Sequence, residues 1–337
     1  MAGVTFSFAS GVNDSIFGKS QAPIRAFIEK RGEAFEQASM VNLIFKEVSS
    51  NNWGEKFTSN TAMEGFQPVG ENGPHPHDNM QEGFSKLLEP MVWKDRFSIT
   101  REAVDDAKMI DLKKKPQGFV TGYYRTREMY AASMLGAAIT GKTKNTFRDK
   151  MFDTTGADGK LLFATDHPSA VKSGVKQSNK FADAFSIKAL GALETRMQNA
   201  EGDNGEILDI SPDTIIIPND YELKNMVFEA IGSDKDPDTS NNGFNYHYGR
   251  WNIVVHPYLN KYITAGTKPW ILVDSKANEN YDGAIWLERV SLEVTSYIDR
   301  DTNANVWDGY ARFGAGFNDW RPFAIGGITG GDTLINA

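Results

Sequence analysis

The sequence predicts an α+β fold, and three features carry that prediction. One helical pattern is longer than any other, a C-terminal stretch alternates strictly, and between them helices and short apolar strands take turns. A chain of 337 residues holds about two domains' worth of polypeptide and can bury a sizeable core. With 40% apolar, 24% charged and 12% aromatic residues it reads as a water-soluble globular chain, which sets aside disordered and collagen-like classes. No run approaches the ~18 apolar residues of a membrane span. The N-terminus MAGVTFSFASGVNDS has neither a basic n-region nor an apolar h-region, so a protein made and kept in the cytoplasm, with no membrane partner, is expected.

Cysteine is absent, which excludes disulfides, thiolate zinc sites, iron–sulfur clusters and a cysteine nucleophile. Lys and Arg number 36 against 44 Asp and Glu, a net charge of −8, so the surface does not suit a protein built to grip phosphate backbones.

Residues 1–21 are rich in Gly and Ser with scattered Phe6, Phe8 and Phe17, which predicts an extended arm that needs another surface to pack on. From Pro23 to Met40, residues Ile24, Phe27, Ile28, Phe35 and Ala38 recur at helical spacing, weakened by Gly32. Val41 to Val48 is strand-like. Residues 49–90 are polar and rich in Gly and Pro, with isolated Trp53, Phe57, Met63, Phe66, Met80 and Phe84. A connection of about 40 residues without helical pattern is functional or an extended hairpin; a projecting β-hairpin with its tip at GENGPHPHDN is expected, rather than a disordered insert. After Met91-Val92-Trp93, the segment RFSITREAVDDA opens as a strand, and Thr100 caps a short helix with Ala103 at N3.

The longest helical signal follows Lys113-Lys114-Lys115-Pro116. Phe119, Tyr123, Tyr124, Tyr130, Met134, Leu135 and Ala138 make one broad face, and Gly141 ends it. About 24 residues at 1.5 Å per residue is a rod of roughly 36 Å, the span of a whole subunit. Residues 142–182 read as a loop region around Leu161-Leu162-Phe163. Ser186 caps a helix through Ile187, Leu190, Leu193 and Met197 that stops near Gly202, and Asn219 caps another through Leu223, Met226, Val227 and Ile231 to Gly232. Between them lies the strand Thr214–Ile217, broken by Pro218, and strands Trp251–His256 and Trp270–Val273 follow, so residues 183–283 form one compact α/β unit. Beyond it, Trp286, Glu288, Val290, Leu292, Val294 and Tyr297 alternate. A second strand runs from Val306 to Phe313 and a third ends at Trp320–Ile325, together making a long antiparallel sheet against the long helix.

Candidate chemistry is thin. His75, His77 and Asp78 have metal-ligand spacing but sit at an exposed turn without a further ligand. Asp166, His167 and Ser169 invite a triad, yet no Gly-x-Ser-x-Gly elbow exists, and a turn-capping Asp-His-Pro is the plainer reading. Gly314-x-Gly316 and Gly326-Gly327 precede no helix, so no phosphate cradle forms. Lys113–Lys115 reads as a solvated face, and Asp105-Asp106 diverge instead of facing each other across a cleft. No enzyme, metal or cofactor is expected. Appendages carrying apolar residues at intervals bury them on neighbours, which describes a building block.

Leu161-Leu162-Phe163 followed by His167-Pro168 and Asn179, then the helix Ala189–Met197, the strand ending Ile217-Pro218, and Gly309-x-x-Arg312-Phe313 leading to Trp320 resemble, in order and spacing, one known group. It is the tailed-bacteriophage major capsid proteins of the Hong Kong 97 fold, in particular the Mu-like major head subunits. The resemblance implies an N-terminal arm at 1–48, an extended loop (E-loop) at 49–92, a peripheral P-domain at 93–182 with 284–337 holding a long spine helix and antiparallel sheet, and an α/β axial A-domain at 183–283. It implies E-loop contacts to a neighbouring subunit through Trp53, Phe57, Met63, Phe66, Met80 and Phe84, and an axial tip at Gly232, Asp234, Asp236, Asn241 and Gly243. The implied partners are further copies in pentamers and hexamers, a portal protein, decoration proteins, and double-stranded DNA enclosed without sequence-specific binding. Met1 stands directly before the arm, so a separate scaffolding protein is expected. The resemblance also places the chain in the virion after assembly in the host bacterial cytoplasm. No loop cross-link through Lys56 or Lys86 is expected. An encapsulin-like nanocompartment shell keeps the fold with another role, and a metal-dependent hydrolase using His75, His77 and Asp78 is the alternative from a different class.

Overall fold

The computed structural model describes residues 5–8, 28, 30, 32, 35, 39–60, 66, 68–75, 77, 82–106, 114–232 and 244–334. Two layers organise them. A mixed five-stranded sheet runs β1 (Thr5–Phe8), β13 (Ala284–Ile298), β14 (Asn305–Phe317), β5 (Met91–Ile99), with β2 (Lys46–Ser49) also on the outer edge of β13. The long helix α3 (Lys114–Ile139) packs across it, burying Trp286, Phe313 and Phe317 beside Tyr130, Met134 and Leu135. Gly141, at φ +78°, ends the helix, and the Lys142 amide donates back to the Ala137 carbonyl, a geometry that glycine adopts at little cost.

The second layer is a four-stranded sheet in the order β11 (Asn252–His256), β10 (Thr214–Pro218), β12 (Trp270–Val273), β15 (Phe323–Gly326). Helices α4 (Ile187–Gln198) and α5 (Tyr221–Gly232) supply its second core with Leu190, Leu193, Leu223 and Val227. Between the layers in sequence lie the short helices α1 (Val41–Ile44), α2 (Arg101–Asp106) and α6 (Ser275–Asn280), and three two-stranded ribbons. The ribbons are β3 (Glu55–Asn60) with β4 (Glu82–Leu88), β6 (Lys144–Phe147) with β7 (Lys150–Asp153), and β8 (His167–Pro168) with β9 (Lys176–Gln177).

Several expectations hold in detail. The Ala103 amide donates to Thr100 Oγ1 at 3.3 Å, and the Ala189 amide to Ser186 Oγ at 3.1 Å, each a cap at its predicted position. Others need correction. Val41–Val48 is not one strand: Glu128 accepts from Ser39 Oγ and the Met40 amide, which starts a turn of helix before β2 begins. The cap of α5 is Asp220, whose Oδ1 accepts from the Leu223 amide at 2.9 Å, while Asn219 holds Lys224. Helix α4 ends at Gln198, because the chain then turns through Gly205 to bridge Glu201 with Ile207. The long helix has no single face, since its second half is buried all round. Alternation in burial fails in β13, where Ala284–Glu288 are all buried and the register then shifts between Glu288 and Val290 and between Val290 and Glu293; Glu288 lies on the same face as Trp286.

Two corrections concern architecture. The arm was expected to need a foreign surface, yet β1 pairs in parallel with Glu293–Ser296 of its own β13. The third C-terminal strand was assigned to the long sheet, but Phe323–Gly326 pairs with β12 of the α/β unit, so the expected boundary at 283/284 is crossed a second time. A buried network forces that turn. His167 is stacked 4.3 Å from Trp320 and held by Asp158 Oδ2 at 2.6 Å, while Asn179 Nδ2 donates to the carbonyls of Leu162 and Phe323.

Candidate intersubunit surface

The hairpin β3–β4 grows from the edge of the long sheet on a small apolar root. Leu88, Ile285 and Leu287 are buried there, with Val48 and Phe57 packed against them. Gly316 makes room: a Cβ at that position would stand 2.3 Å from Leu88 Cδ2, so any larger residue would push the Leu88 side chain out of its seat. Lys86 ties the same strand sideways. Its ammonium donates to Asp153 Oδ2 at 2.7 Å, and to Thr155 O at 2.6 Å and Oγ1 at 3.0 Å. Burial pushes the Asp153 carboxyl up, but hydrogen bonds from Lys86 and Thr155 outweigh it and leave it below its ordinary value. Lys86 is therefore an internal tether, and Lys56 is exposed.

Away from the root the described residues of the hairpin bury little. Trp53 is 64% exposed and Phe66 fully exposed, whereas Phe84 is half-buried and Phe57 belongs to the root of its own subunit. Met63 and Met80 lie outside the described residues, as does Asp78; His75 and His77 are exposed. No group of three metal-ligating side chains occurs among the described residues. Sequence reasoning missed Leu87, Met91, Val92 and Met151, all exposed apolar side chains on β4, β5 and β7. The signal lay in the alternation: Leu88 faces the root, so Leu87 must face outward.

At the far end of the α/β unit, Gly232 closes α5 and is exposed; Asp234, Asp236, Asn241 and Gly243 lie outside the described residues. On α5 and in residues 244–248 stands an aromatic group the sequence reading passed over. Tyr221 and Phe228 sit one heptad apart on the outer face of α5, and Phe244, Tyr246 and Tyr248 are all more than half exposed. That segment is pinned to the helix end by Asn245 Nδ2 donating to the Ala230 carbonyl at 2.6 Å. The triad reading fails: Asp166 pairs with Lys160, and His167 is a buried structural residue instead of a turn cap. No helix among the described residues is long and apolar enough to cross a membrane.

The described residues thus carry two exposed apolar regions, one on a ribbon and one beside a helix terminus. Comparison with known proteins gives this arrangement a context. No curated protein matches the chain. Among solved structures, the asymmetric unit of the bacteriophage PhiM1 mature capsid superposes with a TM-score of 0.50 at 8% identity, covering 87% of this chain and 87% of that one, a likeness of fold. A chain from Mycobacterium phage Patience gives a TM-score of 0.49 at 12% identity over 99% of this chain and 95% of its own. The model of a family described as phage capsid protein matches residues 86–325, from the end of the hairpin's second strand through the long helix and the α/β unit into strand β15. The chain belongs to the phage capsid protein family.

Proposed function

We propose that this is the major head subunit of a tailed bacteriophage, with the Hong Kong 97-type fold, building an icosahedral shell of pentamers and hexamers around double-stranded DNA. One observation carries this reading: the hairpin is rooted firmly in its own subunit yet presents Trp53, Leu87 and Phe66 to solvent. Such surface gains when another copy covers it. In this assignment residues 1–48 are the arm, 49–92 the E-loop, 93–182 with most of 284–337 the P-domain, and 183–283 with β15 the A-domain. The aromatic group at Tyr221, Phe228 and Phe244 then faces the symmetry axis alongside the predicted tip. Subunits joined head to tail in this way close into rings.

The net charge of −8 supports enclosure of DNA without adhesion to it. Membership of a structural family supports a role without catalysis, and location in the virion. A separate scaffolding protein, a portal, decoration proteins and kinship with the Mu-like group remain part of the proposal. The decisive test removes residues 55–85. The expected outcome is a soluble, folded subunit, by circular dichroism and cooperative melting, that forms no closed particles in negative-stain micrographs where the intact chain does. Unchanged shells would overturn the reading.

A further inference from the structure

The strand that leads into the hairpin, β2, lies beside a buried charge cluster that the assembly proposal leaves unexplained. Glu288 is 3% exposed, at a bulge in β13, and accepts from Arg127 Nη2 of the long helix at 3.2 Å. Arg127 is equally buried, its guanidinium 5.1 Å from the centre of the Trp286 ring. The pairing is incomplete: Glu288 Oε1 accepts no hydrogen bond and Arg127 Nε donates none. A second carboxyl, Glu47 of β2, comes within hydrogen-bonding reach of Glu288 and also faces Arg127. Other neighbours are the Tyr123 hydroxyl from the long helix, the Ser291 hydroxyl from β13 itself, and apolar Phe313 opposite on β14. Two acids thus confront one arginine, Glu288 buried with it and Glu47 exposed at the margin of the site. A contact between two carboxyls becomes a hydrogen bond only when one of them holds a proton; two carboxylates repel.

We propose that Glu288 holds a proton against Glu47 beside Arg127, and that this contact latches β2 to β13 and releases the root of the hairpin when the proton leaves. The backbone places the latch where it matters, because Ser49 lies opposite Glu288 in the ladder and the Ser50 amide donates to the Glu288 carbonyl at 3.1 Å, just ahead of the hairpin. Burial, opposed by Arg127 and reinforced by Glu47, pushes the Glu288 carboxyl from 4.5 up to about 7. Its folded value is raised, so the stabilisation is fully present below pH 4.5 and is lost as pH rises through about 7. Release therefore occurs on the alkaline side.

The test is amide hydrogen exchange of residues 46–50 in the intact chain between pH 5.5 and 8.5, corrected for the intrinsic rate. Protection is expected to fall at least tenfold across that range. Glu47→Gln removes the second acid and supplies an amide donor, so the midpoint is expected to move down by about one pH unit. Glu288→Gln, a permanent mimic of the protonated acid, is expected to hold protection constant with pH. An unchanged or raised midpoint in Glu47→Gln overturns the proposal, as does protection that is flat in the parent chain. Should Glu288→Gln fail to fold, Glu47→Gln, altered at an exposed side chain, decides alone.

Discussion

The α/β unit and the hairpin bury their strands in opposite ways. Strands β10, β12 and β15 are buried at every position, sandwiched by helices and by the long sheet's core. Strand β4 buries only Leu88 fully, and most of β5 near the hairpin is exposed on its outward face. The lesson is that one chain contains a region whose energetics are complete and a region whose energetics are not. Apolar area removed from water is worth about 25 cal/mol per Å², and the hairpin has little of that gain inside its own subunit.

This contrast can be tested by substitution. The largest loss is expected in the complete region: Trp270→Ala, at a ring wholly buried against Phe185, should cost about 3–5 kcal/mol in urea unfolding. At the hairpin root, Leu88→Ala should cost about 2–3 kcal/mol by the same measurement, and hydrogen exchange should place the loosening in β3 and β4 rather than in the α/β unit. Beyond the root the effect on the isolated subunit should vanish. Trp53→Ala and Phe66→Ala are expected to stay within about 0.5 kcal/mol of the parent, while particle yield by sedimentation falls sharply. If Trp53→Ala unfolds the subunit, the two regions differ less than their burial suggests.

Much of the fold was legible because local chemistry and tertiary role agree. Ser186 and Thr100 cap where their side chains announce it, and Gly141 stops a helix that has no other reason to stop there. The motif residues Leu162, His167, Asn179 and Trp320, read only as a spacing, prove to be one buried network whose members need one another's hydrogen bonds and ring faces. What the sequence hid was of two kinds. Turns without their usual residues went unread: Arg148 and Asp149 both take positive φ in the tight β6–β7 hairpin, where Asn-Gly would have signalled it. Long-range pairing also went unread, since Phe323-Ala324-Ile325 is apolar enough for either sheet and the anchors that hold it at β12, Asn179, Phe181 and Asp274, are far away in sequence. For the candidate surface, isolated aromatics on a polar stretch were readable as outward-facing in Trp53 and Phe66, but Phe57 was not separable from them, because its shelter comes from Leu287, some 230 residues away.

Strand β15 also governs when the molecule can be finished. Its pairing partner β12 is synthesised about fifty residues earlier, and the whole β13–β14 excursion intervenes before Phe323 arrives. Until then a nascent α/β unit exposes the naked margin of Ile271, Leu272 and Val273, a ready template for pairing with another chain. The polypeptide is thus most open to pairing with another chain during its own manufacture, because the last strand delivered is the one that seals the unit.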